Sequence, residues 1–197
     1  MRPAARVPAR ESAMKAAELY KLLDAELGPA LREHGFRKRR SSRLAFQRSV
    51  AGRYQTISFQ ADKWGWDQYA GSSFFVTFSV SPSPDPDDAA RREERLNHFL
   101  TDAELAQARD YRDSVVAHIP RPPAAHFATL EEQFHKSAPG TAAQMIAALR
   151  AEFEPASEPY RRNQDFGLRY WTPADIAGWA SFVRVVLPRA LEAMESW

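Results

Sequence analysis

Cysteine is absent from the chain. Its absence excludes disulfides, thiolate metal sites and cysteine nucleophiles, and it fits a reducing cytoplasm. Glycine is scarce, with 8 in 197 residues, and none falls into a phosphate loop or a dinucleotide fingerprint. No run approaches eighteen apolar residues, so no segment reads as a membrane span. Neither charge sign dominates: Lys and Arg total 27 against 25 Asp and Glu, a formal net charge of +2. Strong non-specific nucleic-acid binding rests on summed neutralisation of phosphates, and a near-balanced chain is poorly equipped for it. The first residues carry charge without an apolar core, which excludes a secretory signal, and Pro3 and Pro8 argue against a transit helix. Residues 1–11 read as a disordered arm. Met14-Lys15 opens the first helical pattern, which makes Met14 an alternative translation start. The rest, 12–197, reads as one cytoplasmic domain.

What is present is ordinary for a globular protein. The apolar fraction is 44%. A chain this long buries about 70% of its unfolded surface and needs no covalent staple. Arginine far outnumbers lysine, and Ala and Pro are abundant, as in GC-rich bacterial coding.

Hydrophobic spacing sets out the elements. Ser12 suits an N-cap, and Leu19, Leu22, Leu23, Leu27, Ala30 and Leu31 recur at a three-four helical spacing. Pro29 predicts a kink. Gly35 suits a left-handed cap, with Phe36 folding back on Leu31. Residues 43–49, 54–60 and 73–80 alternate with a period of two, placing Leu44, Phe46, Ile57, Phe59, Phe74 and Val76 inward. Short polar links between them predict an antiparallel meander with one packed and one wetter face. The proline-rich segment 81–86 stops the sheet. Asp87 or Asp88 then suits the cap of a helix through Leu100, and Thr101-x-x-Glu104 is a capping box. Residues 114–119, rich in Val and Ile, predict a fourth strand, with a helix end as the alternative. Thr129-x-x-Glu132 and Thr141-x-x-Gln144 are further capping boxes, the latter opening a helix with Met145, Leu149 and Phe153. Residues 168–171 suit a short strand. Thr172-Pro173-Ala-Asp175 starts a last helix that buries Ile176, Trp179, Val183, Leu187, Leu191 and Met194 and kinks at Pro188.

One combination is familiar. A helix closing in Leu31-x-x-x-Gly35-Phe36, basic residues after it, an aromatic strand at Phe46, a strand ending Phe59-Gln60 and then Phe74-Phe75-Val76-Thr77 resembles the bacterial family called domain of unknown function 4304. Tyr170-Trp171 with the last helix is similar to that family's closing element, and His118 and Arg121 to its basic pair. The resemblance covers about 22–80 well, and 114–121 and 168–191 loosely. The stretch at about 122–163 departs from it. It implies a small α+β fold and no reaction, cofactor or catalytic residue.

Three groups stand out as binding candidates. Arg37, Lys38, Arg39, Arg40 and Arg43 form a basic turn. Five cations neutralise up to five phosphates, with a salt slope of about −4.5; a solvated turn that discourages sheet-edge pairing is the alternative. Trp64, Trp66 and Tyr69 occupy the longest inter-strand loop and suit a partner anchor, unless they fold back onto the body. Arg48, Tyr54 and Gln60 suit a polar pocket on the wetter sheet face. The five histidines, His34, His98, His118, His126 and His135, have no metal-ligand spacing. No nucleophile elbow surrounds a serine. Glu93-Glu94 and Glu131-Glu132 are adjacent and diverge on helices.

The expectation is an α+β fold: an antiparallel sheet of four to five strands, N- and C-terminal helices packed on one face, and a helical insertion at about 122–163. The expected function is non-enzymatic binding, foremost of a protein partner, in the manner of accessory or immunity factors. A small-molecule or nucleic-acid binder using the open sheet face comes second, and a hydrolase with a spatially assembled site third. No catalytic residue, metal or cofactor is assigned, and the oligomeric state is left open.

Overall fold

The computed structural model describes residues 14–63, 65–66, 69–85, 88–151, 153–154, 160–163 and 166–197. The expected arm, the Ser12 cap, Asp87 and Trp64 lie outside the described residues. Helix α1 (Ala16–Glu33) leads into β1 (Arg37–Lys38), β2 (Leu44–Val50), β3 (Arg53–Ala61), β4 (Ser72–Ser81) and β5 (Arg92–Arg95). A 3-10 turn (Leu96–Phe99) follows, then α2 (Asp102–His118), α3 (Ala124–Ser137), α4 (Ala142–Ala151), β6 (Leu168–Tyr170) and α5 (Pro173–Glu195). The strands form one antiparallel sheet ordered β1-β2-β3-β4-β5, with β6 pairing the start of β4.

The alternation read from sequence holds. Leu44, Phe46, Ile57, Phe59, Phe74 and Phe78 are all 2% exposed or less and face α1 and α5. Register follows from the turns. Ala51 and Gly52 both have positive φ, 49° and 77°, the geometry of a two-residue primed hairpin that sets Val50 opposite Arg53. Gly35 (φ 81°) ends α1 as expected: Phe36 N–H donates to Leu31 O at 3.0 Å and Gly35 N–H to Arg32 O at 2.9 Å, the paired bonds of a Schellman cap. That cap turns the chain so that Arg37 enters the sheet.

Four expectations are corrected. Arg37 and Lys38 are a strand, because α1's cap delivers them beside β2. Residues 114–119 are not a strand; they lie in or end α2, whose Thr101–Glu104 capping box starts a helical period that the Val pair continues. The segment before Leu100 is β5 and a 3-10 turn, since the free edge of β4 takes up backbone partners there. Thr129 sits inside α3 and donates its hydroxyl to Ala125 O, so it caps nothing.

The insertion is anchored through α2, where Tyr111 meets the Trp179 ring edge-on at 4.6 Å. The buried Arg112 donates to Ala151 O and Glu154 O, capping the end of α4. By contrast, α3 has no buried residue. Among the described residues no helix is long and apolar enough to cross a membrane.

Candidate functional site: a basic hollow at the sheet edge

Strand parity sorts the basic run into two faces. Arg37 pairs with Gln47 and therefore points to the open face; Lys38 pairs with Phe46 and points to the helices. Lys38 Nζ accordingly lies 2.7 Å from Asp24 Oδ2 on α1. Arg39 donates its backbone N–H to Ala45 O and its Nη1 to Pro84 O, the latter at 2.7 Å. Arg43, further along, donates to Gln60 Oε1 at 3.3 Å. Arg37 and Arg40 are exposed, and neither side chain has a hydrogen bond or ion pair among the described residues.

Arg48, expected on the wetter face with Tyr54 and Gln60, stands on the helix face instead. It is opposite Gln55, and its even spacing from Leu44 and Phe46 puts it there. It donates Nε to Gln55 Oε1 (2.7 Å) and Nη1 to His34 O (2.9 Å), pairs with Glu195 at 3.4 Å, and lies 4.8 Å over the Phe36 ring. All its nitrogens are engaged, so it works as a clamp between β2, the end of α1 and α5.

Between the end of α1, β1 and the β2–β3 hairpin lies an open hollow of about 620 Å³. Its basic lining is His34, Arg37, Lys38, Arg39 and Arg48. Gln47, Ser49 and Tyr54 add neutral polar groups, Gly35 and Val50 complete it, and no carboxylate lines it. The carboxylates that neutralise Lys38 and Arg48, Asp24 and Glu195, belong to the helices behind the sheet. The open side of the hollow is therefore positive, and low-dielectric walls concentrate that field. The structure thus joins part of the basic run to part of the expected sheet-face pocket. Arg40, Arg43 and Gln60 do not line the hollow.

The rest of the open face is different. Gln47 Nε2 donates to Thr56 Oγ1 and Arg95 Nη1 to Thr77 Oγ1, both at 3.0 Å. Two crevices on that face hold about 10 and 20 Å³. A water needs about 10–15 Å³ and a small ligand several hundred. A small molecule therefore fits the edge hollow and not these crevices. The Arg39–Pro84 bond ties the segment after β4 to β1. Arg39→Ala should release it, read as faster amide exchange at Ser83 and Asp85 with β2 and β3 unchanged; unaltered exchange there would show the bond to be incidental.

The aromatic loop packs inward where it is described. Trp66 is half-buried against the core, and the Tyr69 ring lies 4.7 Å from His126 of α3. No family model, curated protein or solved structure matches the chain.

One pair went unseen in the sequence. His118 Nε2 lies 3.2 Å from Asp175, 57 residues away. Asp175 is buried and also accepts from Trp171 N–H (2.9 Å), Thr172 N–H (2.7 Å) and the Thr172 hydroxyl (3.0 Å). A carboxylate so fully used is holding the start of α5 in place. The capping motif was legible; the histidine was not, because nothing local ties the end of α2 to that start. Among the described residues no three His or acidic side chains gather as a metal-ligand set.

Proposed function

We propose that the protein is a non-enzymatic binding protein whose edge hollow takes a phosphate-bearing anion. One observation carries the reading: five basic side chains and no carboxylate line a hollow of about 620 Å³. Arg37 is the principal grip, because it points to the open side and is not engaged elsewhere among the described residues. Guanidinium matches a phosphate's geometry with two parallel hydrogen bonds. Arg39 supplies a second cation, and Lys38 and Arg48 add field from behind. The resemblance to domain of unknown function 4304 names no reaction and adds nothing to this assignment. The expected protein partner has less support, since Trp66 and Tyr69 are occupied in packing.

Calorimetry with inorganic tripolyphosphate at low salt tests the reading. The wild type should bind, and Arg37→Ala should weaken binding at least about ten-fold, the loss of one charge-assisted hydrogen-bond pair. Arg40→Ala, which removes another exposed cation, one outside the hollow, should change it by less than about two-fold. Equal losses from both variants would mean diffuse charge attraction and would sink the site.

A further inference from the structure

We infer that the anion the hollow takes is a nucleotide, with its base stacked on Tyr54 and its phosphates on Arg37 and Arg39. This rests on the phosphate-binding reading above and extends it to the uncharged half of the ligand.

Tyr54 carries the one large uncharged aromatic ring lining the hollow, beside the imidazole of His34. It is half-buried, and among the described residues its ring meets no other aromatic ring or cation. The other aromatics of the sheet are used in packing: Phe46 meets Phe59 edge-on, Phe74 meets Tyr170, and Phe78 meets Phe99. Tyr54 differs because of its register. Its cross-strand neighbours on the open face are Ser49 on β2 and Ser81 on β4. Two small side chains stand directly opposite it, so no ring or long side chain faces it across either adjoining strand. A flat aromatic that stacks on no other ring, at the rim of a cluster of cations, is the arrangement that receives a base while the cations hold its phosphate.

The spacing suits one nucleotide. Arg37 sits opposite Gln47, Gln47 opposite Thr56, and Tyr54 lies two residues along β3 from Thr56 on the same face. Two strand spacings and two residues of rise put the Arg37 and Tyr54 backbones about 12 Å apart. The reach of the arginine shortens that gap to the scale of one base and its phosphates. Gln47 and Ser49 lie between them as neutral hydrogen-bonding groups for a sugar or base edge. A nucleotide reaches the hollow either as a free mononucleotide or as a unit of a single strand lying on over the open face past Thr56 and Thr77.

The test compares ATP with tripolyphosphate on the full-length protein, by calorimetry at low salt without metal ions. Stacking adds affinity that the bare phosphate chain lacks, so ATP should bind about ten-fold tighter or more. Tyr54→Leu should bring ATP down to the tripolyphosphate level and leave tripolyphosphate unchanged. Tyr54→Phe should keep the preference, and thermal melts confirm that each variant is folded. An oligothymidylate eight-mer separates the two sources. Tighter binding than ATP, with affinity falling steeply with salt, assigns a single strand; ATP equal or tighter assigns a mononucleotide. Should ATP bind no tighter than tripolyphosphate, or should Tyr54→Leu weaken both alike, the stacking role is overturned while phosphate binding survives. Binding of neither probe would end both readings.

Discussion

Trp179→Ala should destabilise the fold by about 3–5 kcal/mol, the range for deleting a large buried aromatic. Trp179 is fully buried on α5 and its Nε1 donates to Arg169 O at 2.5 Å. It meets Tyr111 of α2 at 4.6 Å and Phe182 at 5.9 Å, both edge-on. One side chain thereby joins α5, β6 and α2. Removing it leaves a cavity among three elements and a buried carbonyl without its donor, which adds to the cost. Urea denaturation reads the result as a midpoint lowered by about 2 M at unchanged slope. Trp179→Phe keeps most of the volume and loses the donor, so it should cost a smaller amount. An alanine variant within 1 kcal/mol of wild type would show that this junction contributes little.

How much of this was legible in the sequence depended on how local the cause was. Leu44, Ile57 and Phe74 reported their inward face by alternation, because strand geometry imposes a period of two wherever one face is packed. Gly35, Thr101 and Thr172 reported helix ends, because a cap is satisfied within a few residues. β5 was not legible. Arg92-Glu-Glu-Arg95 has little strand propensity, and its pairing with β4 comes from the edge on offer, where charged side chains also discourage further pairing. Val115 and Val116 favour a strand locally, yet the helix begun at Thr101 takes them in, and Val115 is buried as part of α2.

The site followed the same division. Arg37 to Arg40 stood out as a basic cluster, but which of them faces outward depended on the pairing of β1 with β2. Arg48 looked like a partner for Tyr54 until its parity put it with Gln55 on the helix face. The hollow is built from the end of α1, β1, β2 and β3, so its lining emerges only once the register is set. Tyr54 was named as a candidate for a polar pocket; that its neighbours directly across the strands are the small Ser49 and Ser81 emerged only with the register.

Gly71→Ala should cost clearly more than Gly52→Ala, although both glycines have positive φ. Gly52 (φ 77°) turns the β2–β3 hairpin with nothing within 4 Å of an added Cβ. Its alanine variant meets only the left-handed backbone penalty of about 1–2 kcal/mol. Gly71 (φ 65°) enters β4 beside β6, where an added Cβ would collide with the Tyr170 backbone carbonyl. Backbone cannot step aside as a flexible side chain does, so β6 must shift and a further 1–3 kcal/mol, roughly, is lost. That shift reaches other contacts, since β6 supplies the carbonyl that receives Trp179 Nε1, and Trp171 just beyond it donates to Asp175. The two variants side by side in urea separate the conformational cost from the collision. If they were equally destabilised, β6 would be yielding without cost, and the close approach of β4 and β6 at Gly71 would not be holding the start of α5 in place.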